Sequence, residues 1–482
     1  MANLRPILLV TGVMLATLGL AMTIPALLGA TSGLPDWRVF IASAAFTLFV
    51  SGVLIVAHWG PLNNLTARHA FMLTTLSWVV LVAFAALPFL FSSVQLSYTN
   101  AFFEAMSGLT TTGSTVLTNL DESSPSILLW RALLQWIGGI GIIVTAIAIL
   151  PMLRVGGMQL FRTESSDTSE KILPRLTQIA ASIAGLYVGL TSLCAASYWL
   201  VGMTPFDSIA HAMTTIATGG FSTSDESFAY WKNPMIDVVA VTFMIAGSLP
   251  FVLYLQLLRG HGNPLLNDTQ VRWFFGLVLF VVAVLWMHQY TVGLNEFWPA
   301  LQYAAFNGVS ILTGTGFATT SYDEWSGFSL MVFFFLMFIG GCAGSTSCGV
   351  KIFRVAIAAK SVWLYARRAV NPNRILLAHY NGQPLGDSII APVMIFLLFY
   401  ILCFAVVAVI LSLMGLDGLT AVSSSATAIS NVGPGLGPVV GPEGSFANLP
   451  DGAKWVLAFT MLVGRLEVFT VLVLFTPVLW RS

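Results

Sequence analysis

Charge is what this chain of 482 residues has least of: 8% is Asp, Glu, Lys or Arg, against 57% hydrophobic residues and a mean hydropathy of +0.87. A soluble domain could not cover its surface with so little charge, so most of the chain must face lipid or protein. Basic and acidic residues cancel at 20 each, and nothing suggests nucleic-acid binding. Cysteine is also sparse. Cys194, Cys342, Cys348 and Cys403 lie in apolar surroundings without metal-ligand spacing, as small residues that allow close packing. None of the six histidines stands in a catalytic pattern, and no HExxH, Ser/His/Asp or paired-carboxylate arrangement occurs. No enzymatic site and no cofactor-binding residue is expected.

What is abundant is long apolar sequence. A helix needs about 20 apolar residues to cross a bilayer. Runs of that size cover roughly 7–30, 38–57, 70–91, 126–153, 176–201, 235–258, 271–290, 327–363, 389–414 and 453–478. The first is too long for a signal-peptide core and reads as a retained helix. The 327–363 run exceeds one simple span and is interrupted at 340–349. Shorter segments at 99–110, 206–217, 298–313 and 418–430 cannot cross as helices and fit re-entrant half-helices. The expectation is an all-α integral membrane protein. Two leading transmembrane helices (1–60) precede four units of helix, re-entrant half-helix with loop, and helix, at 61–155, 156–260, 261–375 and 376–482.

Charge placement orients the chain. Arg5, Arg68, Arg154, Arg162, Lys171, Arg175, Arg259, Arg272, Lys351, Arg354, Lys360, Arg367, Arg368, Arg374 and Arg481 gather on one side, read as cytoplasmic together with both termini. Arg38, Arg131, Lys232 and Lys454 fall on the other. The acids Asp36, Asp121, Glu122, Asp225, Glu226, Asp237, Glu296, Asp323, Glu324, Glu443 and Asp451 collect on that outer side, either as solvated loops or as an electronegative vestibule. Trp37, Trp130, Trp231, Trp298, Trp325 and Trp455 stand near span ends, as an interfacial belt would.

Each half-helix ends in a small-polar tetrad closed by glycine: Thr110-Thr111-Thr112-Gly113, Ala217-Thr218-Gly219-Gly220, Thr313-Gly314-Thr315-Gly316 and Ser430-Asn431-Val432-Gly433. Six residues before the final glycine stand Ser107, Thr214, Ser310 and Thr427; four before it stand Leu109, Ile216, Leu312 and Ile429. Non-helical backbone at membrane depth leaves carbonyls unpartnered, which is tolerated where the loop lines a wet cavity. Four such loops about one axis present rings of carbonyls that can replace the hydration shell of a monovalent cation. The half-helix carries the partially negative end of its dipole inward, favouring cations. No carboxylate lies in any tetrad, which argues against a divalent-type acidic ring. The candidate filter residues are Thr111, Thr112, Gly113, Thr218, Gly219, Gly220, Gly314, Thr315, Gly316, Asn431, Val432 and Gly433, with a monovalent cation as the species held.

These four units, with Gly220-Phe221, Gly316-Phe317, Asn431-Val432-Gly433-Pro434-Gly435 and Gly464-Arg465-Leu466-Glu467, resemble the Trk/Ktr/HKT superfamily of potassium transporters, most of all the bacterial TrkH type. The resemblance covers essentially the whole chain. It implies a homodimer in the bacterial inner membrane with one pore per subunit and a cytosolic TrkA-like nucleotide-binding ring as partner. It implies that the cation held is the potassium ion, and places the key filter glycines on Gly113, Gly220, Gly316 and Gly433. The adjacent Gly219 and Gly220 leave the second loop with two registers.

Beneath the filter, 340–349 is too rich in glycine for a stiff helix, since glycine costs about 1 kcal/mol per residue. It reads either as a small-residue helix crossing or, by the resemblance, as an intramembrane gate comprising Gly340, Gly341, Gly344, Ser345, Thr346 and Gly349, with Lys351 at the cytosolic mouth. Arg465 stands inside the last span, where an ionised residue is expensive and usually functional. It either faces the pore below the filter or pairs structurally with Glu467. Glu104, Asp207, Glu296 and Asp417 read as caps of the half-helices. His211 and Asn307, at the same repeat position as Glu104, read as packing behind the filter. Arg367, Arg368 and Arg374 either dock a regulatory protein or merely obey the charge bias. Three further functions stay open: ion-coupled potassium symport with protons or sodium, a less selective potassium/sodium pathway, and, more remotely, a broken-helix solute carrier.

Overall fold

A computed structural model of the chain describes residues 4–60, 66–148, 172–260, 262–371 and 379–477. The basic residues Arg154, Arg162, Lys171, Arg374 and Arg481 lie outside the described residues. Helices follow in the order α1 (Arg5–Ala21), α2 (Thr23–Thr31), α3 (Trp37–His58), α4 (Ala67–Ala85), α5 (Leu87–Phe91), α6 (Tyr98–Leu109) and α7 (Pro125–Ala148). Next come α8 (Ile172–Leu200), α9 (Pro205–Ile216), α10 (Pro234–Gly247), α11 (Phe251–Leu258), α12 (Pro264–Asn267), α13 (Thr269–Thr291) and α14 (Phe297–Thr313). The chain closes with α15 (Gly327–Leu336), α16 (Ile352–Val370), α17 (Asp387–Leu413), α18 (Gly418–Ser430), α19 (Asp451–Arg465) and α20 (Val468–Leu472). A small antiparallel hairpin pairs His379 with Pro384 and Tyr380 with Gln383.

Among the described residues seven helices are long and apolar enough to cross a membrane, and nine if two bent pairs each count as one. Large hydrophobics such as Leu200, Leu279, Phe280 and Leu398 lie exposed on their outer faces, as a lipid-facing surface requires. Small residues let the leading helices cross closely: a Cβ on Gly12 would come within 3.1 Å of Ile55, and Ser51 Oγ donates to the Gly12 carbonyl at 2.8 Å.

Three expected spans are not straight. The 235–258 run bends by 91° between α10 and α11, where Pro250 supplies no amide to continue the ladder. The 453–478 run bends by 113° between α19 and α20, where Glu467 takes a positive φ of 61°. The 327–363 run is a 10-residue helix, a loop, and then α16, which buries Arg354 and carries Arg367 and Arg368 exposed in its last turn. Apolar length alone conceals such turns.

The four short helices form where the half-helices are expected. A 12-residue helix is about 18 Å long, against about 30 Å of hydrocarbon. Ser97, Thr204 and Asp417 cap three of them through side-chain oxygens that accept from Asn100, Asp207 and Thr420 amides. Glu296 sits at the fourth N-cap without such a bond. Their inner ends are buried, so their last carbonyls must find partners in neighbouring elements.

Candidate functional site

The four tetrads repeat one backbone conformation. Two residues before the final glycine, φ is positive in every loop: 52° at Thr111, 48° at Thr218, 71° at Gly314 and 53° at Asn431. The final glycines are positive again, at 89°, 81°, 85° and 114° for Gly113, Gly220, Gly316 and Gly433. The residues between them, Thr112, Gly219, Thr315 and Val432, are not. Alternation of hands lets successive carbonyls face one side instead of opposite sides. It also sets the second-loop register: Gly220, not Gly219, matches the other final glycines. The in-between amides close on the half-helix ends, Thr112 to Ser107, Gly219 to Thr214 and Thr315 to Ser310 at 2.8 Å, and Val432 to Thr427 at 3.1 Å.

The loops meet in a closed ring. A Cβ on Gly113 would overlap the Gly219 carbonyl oxygen, one on Gly220 that of Thr315, and one on Gly316 that of Val432; one on Gly433 would lie 2.9 Å from that of Thr112. Each loop thus presses its final glycine on the next loop in chain order, and the fourth presses on the first. A vestibule above the ring is lined by all four of these glycines together with Asp225 and Glu443. Among the described residues no three His, Cys, Asp or Glu side chains converge. The oxygens gathered at the ring are carbonyls and hydroxyls, the ligand type that suits a monovalent cation.

Behind the ring each loop is braced differently. Glu104 is not a cap: it lies well inside α6, fully buried, and pairs with Arg131 at 2.8 Å. Its other oxygen accepts from the Val116 amide at 2.9 Å. Arg131 is 1% exposed, and donates to the Ser222 carbonyl (2.8 Å) and the Thr115 hydroxyl (3.2 Å). At the matched position His211 bonds to Ser222 Oγ at 3.0 Å, and Asn307 brackets Thr319 through its amide (3.1 Å) and hydroxyl (2.8 Å). Both pack behind the loops, as the sequence implied. Gln135 of α7, which sequence reading passed over, reaches the Gly219 carbonyl. Trp130 is buried too, with its indole donating to the Ala85 carbonyl at 3.1 Å, so it belongs to no interfacial belt. Lys454, also expected outside, is buried on Asn100 Oδ1 (2.7 Å) and the Ala447 carbonyl (2.8 Å).

The outer acids mainly brace loops. Asp36 accepts from the Ser93 amide at 2.9 Å, Asp225 from that of Leu120 at 2.7 Å, and Asp237 from Gln302 at 2.7 Å. Glu443 accepts from the Ser321 hydroxyl. Asp323 accepts from the Gly437 amide at 2.8 Å, while partial burial raises its carboxyl above the ordinary aspartate range.

Residues 340–349 hang beneath the ring as a buried irregular loop. Thr346 Oγ1 reaches the Ile216 and Gly247 carbonyls, both at 2.9 Å, and the Ser347 hydroxyl takes the Thr313 carbonyl. Two half-helices therefore end on this loop. Its own backbone is tied by Cys342 to Ser248 (3.0 Å) and by Gly340 to Val350 (3.0 Å). Gly344 takes a φ of 76° and Gly349 one of 70°, while Ser345 Oγ closes on the Cys342 carbonyl at 2.6 Å. Lys351 donates to the Ser347 carbonyl, and a Cβ on Gly341 would come within 2.8 Å of Ser347.

Arg465 is 3% exposed and turns to this loop, not to Glu467. It donates to the Thr346 carbonyl and the Gly138 carbonyl, each at 3.2 Å, and to Cys348 Sγ. Glu467 instead pairs with Arg354 of α16. Cys348 also lies 3.5 Å from the Thr111 hydroxyl, so Arg465, the loop and the first tetrad are in sequence through one thiol. The cavity below is lined by Lys351, Arg354, Arg465, Glu467 and Tyr400 with loop residues 343–345 and 347–349.

Known proteins resemble this chain over its whole length. A family model described as TrkH, cation transport protein, matches residues 37–481. The chain is 46% identical over 478 residues to the Trk system potassium uptake protein TrkI of Halomonas elongata, covering 99% of this chain and 97% of the relative. It is 38% identical over 489 residues to the Trk system potassium uptake protein TrkH of Escherichia coli K12, covering 100% of each. The crystal structure of the potassium transporter TrkH from Vibrio parahaemolyticus matches with a TM-score of 0.92 at 34% identity, over 100% of both chains. These relatives are transport proteins, not enzymes, and the likeness runs from end to end in sequence and backbone path. The chain belongs to the TrkH family of cation transport proteins.

Proposed function

We propose that this chain takes up potassium across the bacterial plasma membrane, as the potassium-selective pathway of a Trk-type system. The observation that carries the reading is the closed ring of four alternately handed loops, each pressing a final glycine on the carbonyl of the next. Potassium is the substrate, stripped of water by carbonyls of Thr111 to Gly113, Thr218 to Gly220, Gly314 to Gly316 and Asn431 to Gly433. The ring is entered from the vestibule on the outer face. Below it the 340–349 loop, pinned by Arg465 and Lys351, obstructs the path until it moves. The names of the relatives, all Trk system potassium uptake proteins, support the choice of ion.

The working unit is a homodimer with one pathway per subunit, both termini in the cytoplasm. A TrkA-like nucleotide-binding ring docks on the cytoplasmic side, where α16 presents Lys360, Arg367 and Arg368. Purified protein in liposomes is the test. Potassium and rubidium fluxes should far exceed sodium flux; equal sodium flux refutes the assignment.

A further inference from the structure

The second loop departs from the others in its adjacent glycines, and the structure fills the space that the missing side chain leaves. A Cβ on Gly219 would overlap Cδ and Oε1 of Gln135 and lie 2.9 Å from Nε2. Gln135 belongs to α7, the helix that follows the first loop, so it crosses from one unit to the next. Its amide spans Gly220, holding one atom of the peptide group on each side of it. Nε2 donates to the Gly219 carbonyl at 2.5 Å, and Oε1 accepts from the Phe221 amide at 3.1 Å. One turn earlier on α7, Arg131 holds the Ser222 carbonyl of the same loop at 2.8 Å.

The matched positions lack this device. Gly138, Gly247 and Gly464 each sit against a half-helix carbonyl, those of Leu109, Ile216 and Ile429. Three residues before them stand Gln135, Met244 and Met461, so an amide occurs only in the first. Thr112, Thr315 and Val432 are the residues matched to Gly219. Among the described residues none of their carbonyls accepts a side-chain hydrogen bond. The fourth loop is braced one residue later, by Ser114 Oγ on the Gly433 carbonyl at 2.6 Å.

Two physical effects follow. A peptide between two glycines has no Cβ to oppose its rotation, and Gln135 opposes it by holding its carbonyl and the amide of the peptide that follows. A carbonyl that already accepts an N–H is also a weaker cation ligand than one with both lone pairs available. We propose that Gln135 is a specificity-determining positioning residue: it pins the Gly219–Gly220 peptide and sets how strongly that quarter of the ring discriminates between potassium and sodium. The inference rests on the reading of the ring as the filter.

The test compares potassium, rubidium and sodium fluxes of wild type and Gln135→Met in liposomes, with melting and elution as the check on folding. Gln135→Met should remain folded and pass potassium, while its potassium-to-sodium ratio falls about tenfold, the size expected for one buried hydrogen-bonded pair. An unchanged ratio in folded protein overturns the proposal. If Gln135→Met does not accumulate, Gln135→Leu replaces it, removing both the N–H donor and the acceptor without adding charge; an unchanged ratio there is equally fatal. A second arm combines Gly219→Ala with Gln135→Ala. Alone, Gly219→Ala should abolish discrimination, because its Cβ overlaps the Gln135 amide. Added to Gln135→Ala, it should cost no more than about twofold further. Losses that multiply overturn the proposal. Wild-type protein without selectivity would instead defeat the filter reading itself.

Discussion

Arg131→Met tests how far the ring depends on charge buried behind it. The substitution keeps a long stem and removes the guanidinium. Three hydrogen bonds disappear: to Glu104 at 2.8 Å, to the Ser222 carbonyl at 2.8 Å and to Thr115 at 3.2 Å. So does the stacking of the guanidinium over Phe221, at 4.1 Å from the ring centroid. Neither charge is solvated, since side-chain exposure is 1% for Arg131 and 0% for Glu104, so solvent screening does not discount the pair. Breaking a buried pair from one side costs about 3–5 kcal/mol. Glu104 keeps the Val116 amide and the Thr115 hydroxyl, which places the ion-pair loss near the lower bound. The orphaned Ser222 carbonyl adds about 1 kcal/mol. The sum is about 4 kcal/mol. Glu104→Gln, which keeps shape and hydrogen bonding, should cost about 1–2 kcal/mol. The double variant should lose clearly less than the two singles added, with a coupling of about 2 kcal/mol. Unfolding in detergent, followed by melting and by retained elution volume, reads these differences. Additive losses, or an Arg131→Met loss within about 0.5 kcal/mol of zero, would refute the reasoning.

Other perturbations probe the ring and the loop beneath it. Gly113→Ser puts a Cβ at a φ of 89° and against the Gly219 carbonyl, so relative sodium permeation should rise about tenfold; unchanged ion selectivity would remove the first loop as a discriminator. Shortening the loop within 343–347 should increase potassium flux, and a folded protein in which flux simply stops would contradict the gating role. Arg465→Ala takes away donors to Thr346, Gly138 and Cys348, so flux should rise by severalfold, or about 1 kcal/mol in the barrier. Loss of folding without altered flux in the remaining protein would mean that Arg465 is only structural.

Much of this molecule is written in local pattern. The segment 99–110 is helical as Tyr98–Leu109, and 418–430 as Gly418–Ser430, because a Ser or Asp cap precedes each and a positive-φ residue follows. His211 and Asn307 could be assigned behind the loops because repeat position alone carries that information. What was not legible depends on partners distant in sequence. Arg131 looked like an outer charge because it stands near the start of a span; only the fold shows Glu104 and Ser222 around it. A signal did exist, since an arginine among apolar residues is the same cue that singled out Arg465. Gln135 offered none, because a lone amide in a helix is ordinary until Gly219 lies against it. The Arg354–Glu467 pair was hidden likewise: Glu467 is two residues from Arg465, yet its partner lies on another helix.

The unlike braces have a common physical origin. Carbonyls aimed at an axis cannot also satisfy one another, so each loop must take its support from outside the ring. The first loop rests on a buried carboxylate, the second on an amide and a guanidinium, and the third on Asn307. The fourth is tied to the first, with Ser114 Oγ donating to the Gly433 carbonyl at 2.6 Å and Asn431 Nδ2 donating to Thr112 Oγ1 at 2.9 Å, while Thr427 Oγ1 accepts from the Gly433 amide at 2.9 Å. A ring built by four different chemistries has one backbone shape but four stiffnesses. The lower loop adds a second asymmetry, because it caps the half-helices of the second and third units through Thr346 and Ser347. Any movement of that loop must release the Ile216 and Thr313 carbonyls, and with them the helix ends from which two of the four tetrads spring. The lower loop and the ring are therefore not separable parts: the bonds that close the lower loop also fix half of the ring above it.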